Sequence, residues 1–557
     1  MGSIPTYKFD ANTPNTLKKV PYGYNWPVVY IIHNDTEAYV GQTDNAAYRA
    51  GQHWANKDRQ RLTQFSIISD DTYNKSVILD LEAYLIERMS ADGKFKMQNA
   101  SPGERSHGYF NSRIYQKRFP QIWESLRQVG LASKTLSDIE NSDLFKYSPY
   151  HSLSTDQYST ILNIIVDLAA SYKTGESMTS IIKGGPGTGK TILAVYLMKM
   201  LKDRKIDIAM DDQDVEIDMT KVHQALYNLP DMRIGFVVPQ QSLRDTLKKV
   251  FDTIPGMSSK DVISPKDVPN CIYFDLLVVD EAHRLKQRKN LSQYKYFDNN
   301  NIKLGLDKNT GTELDWILKC SKNQILFYDG LQSVRLSDVP PSKFDHLFTD
   351  PSVKQYKLET QFRCKAGEEY IKYIREVLSP APPSIFQSFS DYDLLLFENF
   401  SEMVSKIKEK EAEYSLSRLV AGFAWEWKSK KDPSKMDIEI DGLSFQWNST
   451  DKNWVNSPNA ANEIGCIHTV QGYDLNYCGI IFGPEIDYDF DNHKFIINKK
   501  QYKDSLGRQG ILDKDDLLRD FILNIYSTLM TRGIIGTYVY ACNKGMRDYL
   551  KKYLPFH

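Results

Sequence analysis

Cysteine is scarce in this chain and follows no pattern. Six cysteines are scattered through 557 residues. None forms a C-x-x-C pair, which argues against a zinc ribbon and a disulfide scaffold and fits a reducing cytosol. Long apolar runs are missing too. No stretch approaches the roughly 20 residues of a membrane span, and residues 1–20 are polar rather than signal-like. The expectation is a cytoplasmic protein with no membrane partner. An excess of one charge is also missing: 70 Lys and Arg against 71 Asp and Glu leave a net charge of −1. That weighs against a non-specific nucleic-acid coat. A local basic groove stays open, because affinity follows the phosphates actually contacted.

What is present is an ordinary globular composition, 41% hydrophobic and 25% charged. The length implies two to four domains. Aromatics are plentiful, with 34 Tyr. Some rings could stack on bases, and most should be packing.

The fold class read from the pattern is α/β: a small front α/β domain followed by two parallel-sheet lobes. Residues 1–26, polar with prolines, read as a loose arm. From Pro27 the pattern changes. Val28–Ile32 and Glu37–Gly41 read as hairpin strands around a His33-Asn34-Asp35 turn. Asn45–Asn56 and Ser76–Glu87 read as helices, with Glu87 a surface charge. The front domain spans 27–104 and a connector 105–150. Alternating strands and helices then fill 151–345 and 346–557, predicting sheets covered on both faces. An acidic cluster (Asp211, Asp212, Asp214, Glu216, Asp218) reads as a solvated loop.

Residues 184–191 read Gly-Gly-Pro-Gly-Thr-Gly-Lys-Thr, a G-x-x-x-x-G-K-[ST] phosphate loop. Gly184, Gly185, Gly187, Thr188 and Gly189 let backbone N–H groups converge on phosphate oxygens. Lys190 can reach the outer phosphates of ATP, and the Thr191 hydroxyl can sit on Mg²⁺. An apolar strand precedes the loop and a helix follows, its N-terminus facing the anion. Downstream, Leu276–Val279 is an apolar strand ending in Asp280 and Glu281. Carboxylates there are costly without a metal or partner. Asp280 would hold Mg²⁺, and Glu281 would orient and deprotonate the attacking water.

In this order the motifs resemble those of a superfamily 1 helicase, with two recA-like lobes. The resemblance implies further roles: Gln157 reading adenine, Gln332 sensing the γ-phosphate, and Arg363 and Arg532 acting as arginine fingers. His468–Asp474 resembles the segment that couples nucleotide to strand grip. Arg418–Trp427 and Gly465–Gly483 extend the resemblance to the Schlafen group-3-like DNA/RNA helicase domain.

The front residues resemble a GIY-YIG nuclease. Tyr30 and Tyr39-Val40-Gly41 match its two triplets, although Val28-Val29 stand where Gly-Ile is usual. Arg49, Glu82 and Asn99 match its later positions, and His53 lies one helical turn beyond Arg49, on the same face. The resemblance implies a divalent ion, Mg²⁺ or Mn²⁺, on Glu82. Tyr30 or Tyr39 would help deprotonate water. A tyrosine pKa near 10 is poor for that task, so Arg49 is expected to lower it and to stabilise charge on phosphorus. His53 is expected to relay the proton.

The resulting expectation is an ATP-dependent translocase or helicase coupled to a metal-dependent endonuclease. Its partner would be DNA, and its setting bacterial anti-phage defence. The alternatives are an ATP-driven remodeller with a non-cutting front module, or an RNA- or tRNA-cleaving nuclease. Oligomeric state, polarity and sequence preference are not encoded in any recognisable pattern.

Overall fold

The structure is a computed structural model that describes residues 4–99, 109–150, 153–185, 187–204, 219–291, 293–330, 336–358, 365–450, 454–470, 473–504, 508 and 510–557. The fold is mixed α/β, with a small N-terminal α/β domain and two parallel-sheet, recA-like lobes. The chain divides into two compact units. One is Met1–Ser177, Thr191–Phe236 and Asp245–Val262; the other is Met178–Lys190, Val237–Arg244 and Ile263–His557.

In the first unit, strands β1 (Thr6–Lys8), β2 (Val28–His33), β3 (Glu37–Thr43), β4 (Gln64–Ile68) and β5 (Lys96–Met97) form a sheet in the order β1-β4-β2-β3-β5. The central strand β2 pairs antiparallel with β3 and β4. It is buried on both faces. Val29 and Ile31 pack toward the helix Lys75–Asp92, while Val28, Tyr30 and Ile32 pack toward the helix Ala46–Ala55. This is the period of two of a strand. Asn45 and Asn74 cap these helices by accepting the Tyr48 and Val77 N–H groups, at 3.0 and 3.1 Å. The second helix ends at Gly93, whose φ of +71° a glycine adopts without strain.

Three expectations for this unit need correction. The arm is not loose: Thr6–Lys8 pairs antiparallel with β4, and Phe9 and Leu17 are buried in its core. The connector is not a linker either. Phe119, Ile122, Trp123, Leu126 and Ile139 share the apolar cluster of the Lys75–Asp92 helix. Nor is Glu87 a surface charge: it is buried and pairs with Arg88 at 2.9 Å. Arg88 then reaches Glu140 at 2.7 Å, tying the connector to that helix.

The next sheet has six strands in the order β11-β6-β10-β9-β7-β8: β6 (Thr179–Gly184), β7 (Ile234–Val237), β8 (Val262–Ile263), β9 (Phe274–Val279), β10 (Ser321–Tyr328) and β11 (Lys354–Leu358). Strands β11, β6, β10 and β9 run parallel. In the second unit a five-stranded parallel sheet follows, in the order β12-β20-β17-β13-β16. Its strands are β12 (Asp393–Leu396), β13 (Ser417–Ala421), β16 (Ile464–Cys466), β17 (Leu475–Phe482) and β20 (Gly533–Ala541). Two hairpins complete the lobe: β14 (Ile438–Ile440) with β15 (Leu443–Phe445), and β18 (Ile486–Asp489) with β19 (Lys494–Ile497). Among the described residues no helix is long and apolar enough to cross a membrane.

Candidate active sites

In the front domain, Tyr30 on β2 lies opposite Gly41 on β3. The Tyr30 ring stacks on Phe65, with centroids 5.0 Å apart. A Cβ at residue 41 would stand 2.3 Å from the Tyr30 hydroxyl. Only glycine leaves that hydroxyl its path, which is the physical content of the Tyr39-Val40-Gly41 triplet. The helix Ala46–Ala55 presents Arg49 and His53 one turn apart. Tyr30 Oη lies 2.7 Å from His53 Nε2, and the Arg49 guanidinium acts on it electrostatically. Tyr39 packs on the His53 ring at 4.9 Å. Glu82, half-buried on the helix Lys75–Asp92, acts electrostatically on both Tyr30 and Arg49. Tyr30, Tyr39, Arg49, His53 and Glu82 are therefore brought together from separate elements.

Asn99 stands differently. Its amide accepts the Val40 N–H at 3.1 Å and donates to the Val40 carbonyl at 2.8 Å. These two bonds fix β3 between Tyr39 and Gly41.

Two chemical expectations change. Burial drives the Tyr30 hydroxyl well above 10, with Tyr39 and Glu82 adding to the rise, and the opposing Arg49 does not overcome them. His53 is pushed down to about 2, first by burial and then by the Arg59 and Arg49 charges. Its ring is therefore neutral. Arg59 Nη1 bonds His53 Nδ1. A guanidinium only donates, so Nδ1 accepts and the ring hydrogen sits on Nε2. His53 then donates to Tyr30 Oη and does not take its proton. Arg59 also covers the Tyr39 ring at 3.7 Å. Sequence reasoning missed this arginine, because a charged Lys57-Asp58-Arg59 turn looks like any solvated loop. A cavity of about 480 Å³ opens beside Arg59 and Asn99, with Arg61, Lys96 and Lys199 also in its wall.

Among the described residues no group of three or more His, Cys, Asp and Glu side chains could hold a metal ion. A lone half-buried carboxylate such as Glu82 fits Mg²⁺, which keeps most of its water shell and takes one or two carboxylates.

At the phosphate loop, Gly187 and Gly189 adopt φ of +80° and +75°, the left-handed backbone that lets the loop curl. Lys190 Nζ donates to the Gly184 and Gly185 carbonyls at 2.8 and 2.7 Å and lies 3.4 Å from Asp329 Oδ2. Thr191 follows it in the helix Lys190–Asp203. At the end of β9, Asp280 is fully buried and its N–H donates to the Val237 carbonyl at 3.0 Å. Glu281 takes a left-handed φ of +51°. Burial alone would raise its carboxyl, but His283, Lys190 and Arg284 hold it well below the usual carboxylate range. Two carboxylates at one strand end are hard oxygen ligands that suit Mg²⁺, and the cationic lysine of a phosphate loop suits a triphosphate.

His283 and Asp329 fall within the motifs read from the sequence, which gave neither a role of its own. His283 Nδ1 accepts the Asp329 N–H at 3.2 Å. Its Nε2 stands 3.1 Å from Glu281 Oε2, off the ideal hydrogen-bond line. The ring thus bridges the two strand ends that carry Glu281 and Asp329.

The remaining expected residues are placed as follows. Gln157 lies at the start of the helix Thr155–Thr174, where its Oε1 accepts the Ser154 N–H at 3.1 Å in a capping box. Arg532 is only 1% exposed, close enough to Cys478 to oppose the rise that burial imposes on that thiol. Gln332, Arg363, Gln471, Gly472 and the acidic cluster at 211–218 lie outside the described residues.

Residues 177–543 match the family model of the Schlafen group 3, DNA/RNA helicase domain. The chain belongs to this family. Its helicase domain takes in both parallel-sheet lobes and leaves the front domain outside the match. Membership makes the chain a helicase-type ATPase. A relative from Saccharomyces cerevisiae (strain ATCC 204508 / S288c), "Uncharacterized protein YPL245W", is 23% identical over 414 residues, covering 66% of this chain and 83% of that protein. Among solved structures, the arterivirus nonstructural protein 10 helicase with DNA is 13% identical with a TM-score of 0.29, over 70% of this chain and 65% of that one. The Candida albicans Pif1 helicase is 9% identical with a TM-score of 0.26, over 72% of this chain and 99% of that one.

Proposed function

We propose that the helicase domain is an ATP-driven nucleic-acid motor and that residues 4–150 form a metal-dependent GIY-YIG-type phosphodiesterase fused to it. The observation that carries the second half is the convergence of Tyr30, Arg49, His53 and Glu82 from three elements, with Gly41 clearing the Tyr30 hydroxyl. Arg49 is placed to stabilise negative charge developing on a phosphate. His53 Nε2–H holds the Tyr30 oxygen as an acceptor, with the Arg49 charge beside it. A divalent ion on Glu82 would add charge at the scissile phosphate.

In the motor, Lys190 and Thr191 are the residues for ATP and its Mg²⁺, Asp280 for the ion and Glu281 for the attacking water. The lobes divide near residue 345. DNA is the substrate of the first reading, and structured RNA is the other arm of the test. The defence role expected from the architecture has no structural observation behind it.

The deciding experiment compares wild type, Lys190→Ala and Glu82→Ala in ATP turnover and in scission of DNA and structured RNA with Mg²⁺ or Mn²⁺. Lys190→Ala should lose ATP turnover, and Glu82→Ala should lose scission while keeping turnover. Scission surviving Glu82→Ala removes the nuclease. A wild type whose ATPase ignores nucleic acid removes the motor. One observation favours a front module that recognises without cutting: the Tyr30 ring is wholly enclosed. Wild type that binds both substrates and cuts neither establishes that reading.

A further inference from the structure

The segment that leaves β13 does something a buried strand end has no need to do. Residues 422–427 read Gly-Phe-Ala-Trp-Glu-Trp, and lysines follow at 428, 430, 431 and 435. All four lysines are exposed, and Trp425 and Trp427 are half-buried. Each indole has a core side: both pack against the cluster around Phe400, Ile438 and Trp447.

Trp427 is held in place by polar bonds. Its Nε1 donates to Ser429 Oγ at 3.1 Å. The Ser429 N–H and hydroxyl donate to the buried Asp437 carboxylate at 2.7 and 2.5 Å. That carboxylate also accepts the Trp447 N–H at 2.7 Å. The loop is tied a second time where Gln446 Nε2 donates to the Pro433 and Lys435 carbonyls, at 2.5 and 3.2 Å. Lys430 Nζ lies 4.8 Å from the Trp427 ring centre. Lys435 pairs with Asp432 at 3.7 Å, while Lys428, Lys430 and Lys431 have no carboxylate partner among the described residues.

An indole fixed by its own hydrogen bond, half-open, with one ammonium group over it and two more exposed lysines on the same loop, has the chemistry that grips an unpaired strand. Bases stack on the ring, and phosphates meet the lysines. The loop leaves the C-terminal end of an internal strand of a parallel sheet, where such sheets bind their ligands. Phe423, four residues before Trp427, packs on the His468 ring at 5.4 Å.

We infer that Trp427, with Trp425 beside it and Lys428, Lys430 and Lys431 around it, is a stacking platform for single-stranded nucleic acid on the second lobe. This rests on the reading of the helicase domain as a nucleic-acid motor. The test uses the full chain and fluorescently labelled oligo-dT and oligo-rU, with affinity measured across a salt series. Trp427→Ala should weaken binding roughly 5- to 100-fold, and Trp427→Phe should hold it within about threefold. Replacing Lys428, Lys430 and Lys431 together by alanine should flatten the slope of log affinity against log salt by about 2.

Trp427→Ala binding within twofold of wild type overturns the platform. If that variant fails to fold, an unchanged salt slope in the triple lysine variant overturns it instead. Nucleic-acid-stimulated ATP turnover in wild type, read alongside, separates this failure from failure of the motor reading. A platform that binds only a protein partner would leave both oligonucleotide measurements unmoved, and that too refutes the inference.

Discussion

His283 offers a direct test of how the ATP site is built. The ring is fully buried and accepts the Asp329 N–H at 3.2 Å while facing Glu281 at 3.1 Å. Alanine there removes the acceptor from a donor at a buried position. A buried donor left unmade costs roughly 1–3 kcal/mol. For a unit of this size that lowers the melting temperature by roughly 1–5 °C. The effect on turnover is separate. Glu281 would lose the contact that orients it, and general-base assistance is worth roughly 10²–10⁴-fold. His283→Ala should therefore lower kcat by at least about tenfold. KM for ATP should stay within about threefold, because Lys190 and the phosphate loop are untouched. His283→Gln keeps one acceptor and one donor and should recover part of the loss. The assay is steady-state ATP turnover with saturating nucleic acid, paired with a thermal melt. A kcat within twofold of wild type, in a protein whose melting point has dropped as stated, would show that His283 supports the fold alone.

Three further outcomes are expected. Gly41→Ala sets a methyl 2.3 Å from the Tyr30 hydroxyl, which Phe65 and His53 hold in place; overpacking of this kind costs roughly 1–3 kcal/mol, so strand scission should fall while ATP turnover stays, and unchanged scission counts against the Tyr30 cluster. In Arg59→Gln the His53 ring loses its neighbouring charge but not its burial, the larger cause of its low pKa; NMR of labelled histidine should show it titrating above about 2 but still below its ordinary range. Glu485 is buried and its carboxyl is raised to about 7 by that burial. The folded state therefore keeps a proton that the unfolded chain releases, and stability falls as pH rises from the unfolded value toward 7. Glu485→Gln should melt higher than wild type at pH 8, by up to roughly 3 kcal/mol of stability, with the difference gone near pH 4; equal melting points at pH 8 refute the assignment.

Much of this was legible from residue order, and the reasons are local. Val28–Ile32 and Leu276–Val279 are apolar runs closed by turn or carboxylate signals, and both are strands. The glycines and lysine at 184–190 could be read because one backbone shape demands them. The helix read as Ser76–Glu87 in fact spans Lys75–Asp92, since only Gly93 stops it. Long-range pairing was not legible. Thr6–Lys8 alternates weakly and gains its meaning only from β4, more than fifty residues on. The connector hid its role because Trp123 and Phe119 sit among charged residues, and their apolar partners lie on another helix. Arg59 and His283 have no signature of their own. Each matters through a ring nitrogen whose hydrogen it settles or carries, and that is a fact of three dimensions.

The short strand Thr6–Lys8 has a practical consequence for dissecting the molecule. It closes the outer edge of β4, and Phe9 and Leu17 plug the core beside it. A fragment begun at residue 27 would bare a row of hydrogen-bonding groups next to an opened apolar floor, the combination that recruits a neighbouring chain. Such a piece would clump before it could be assayed, and its silence would be mistaken for a dead enzyme.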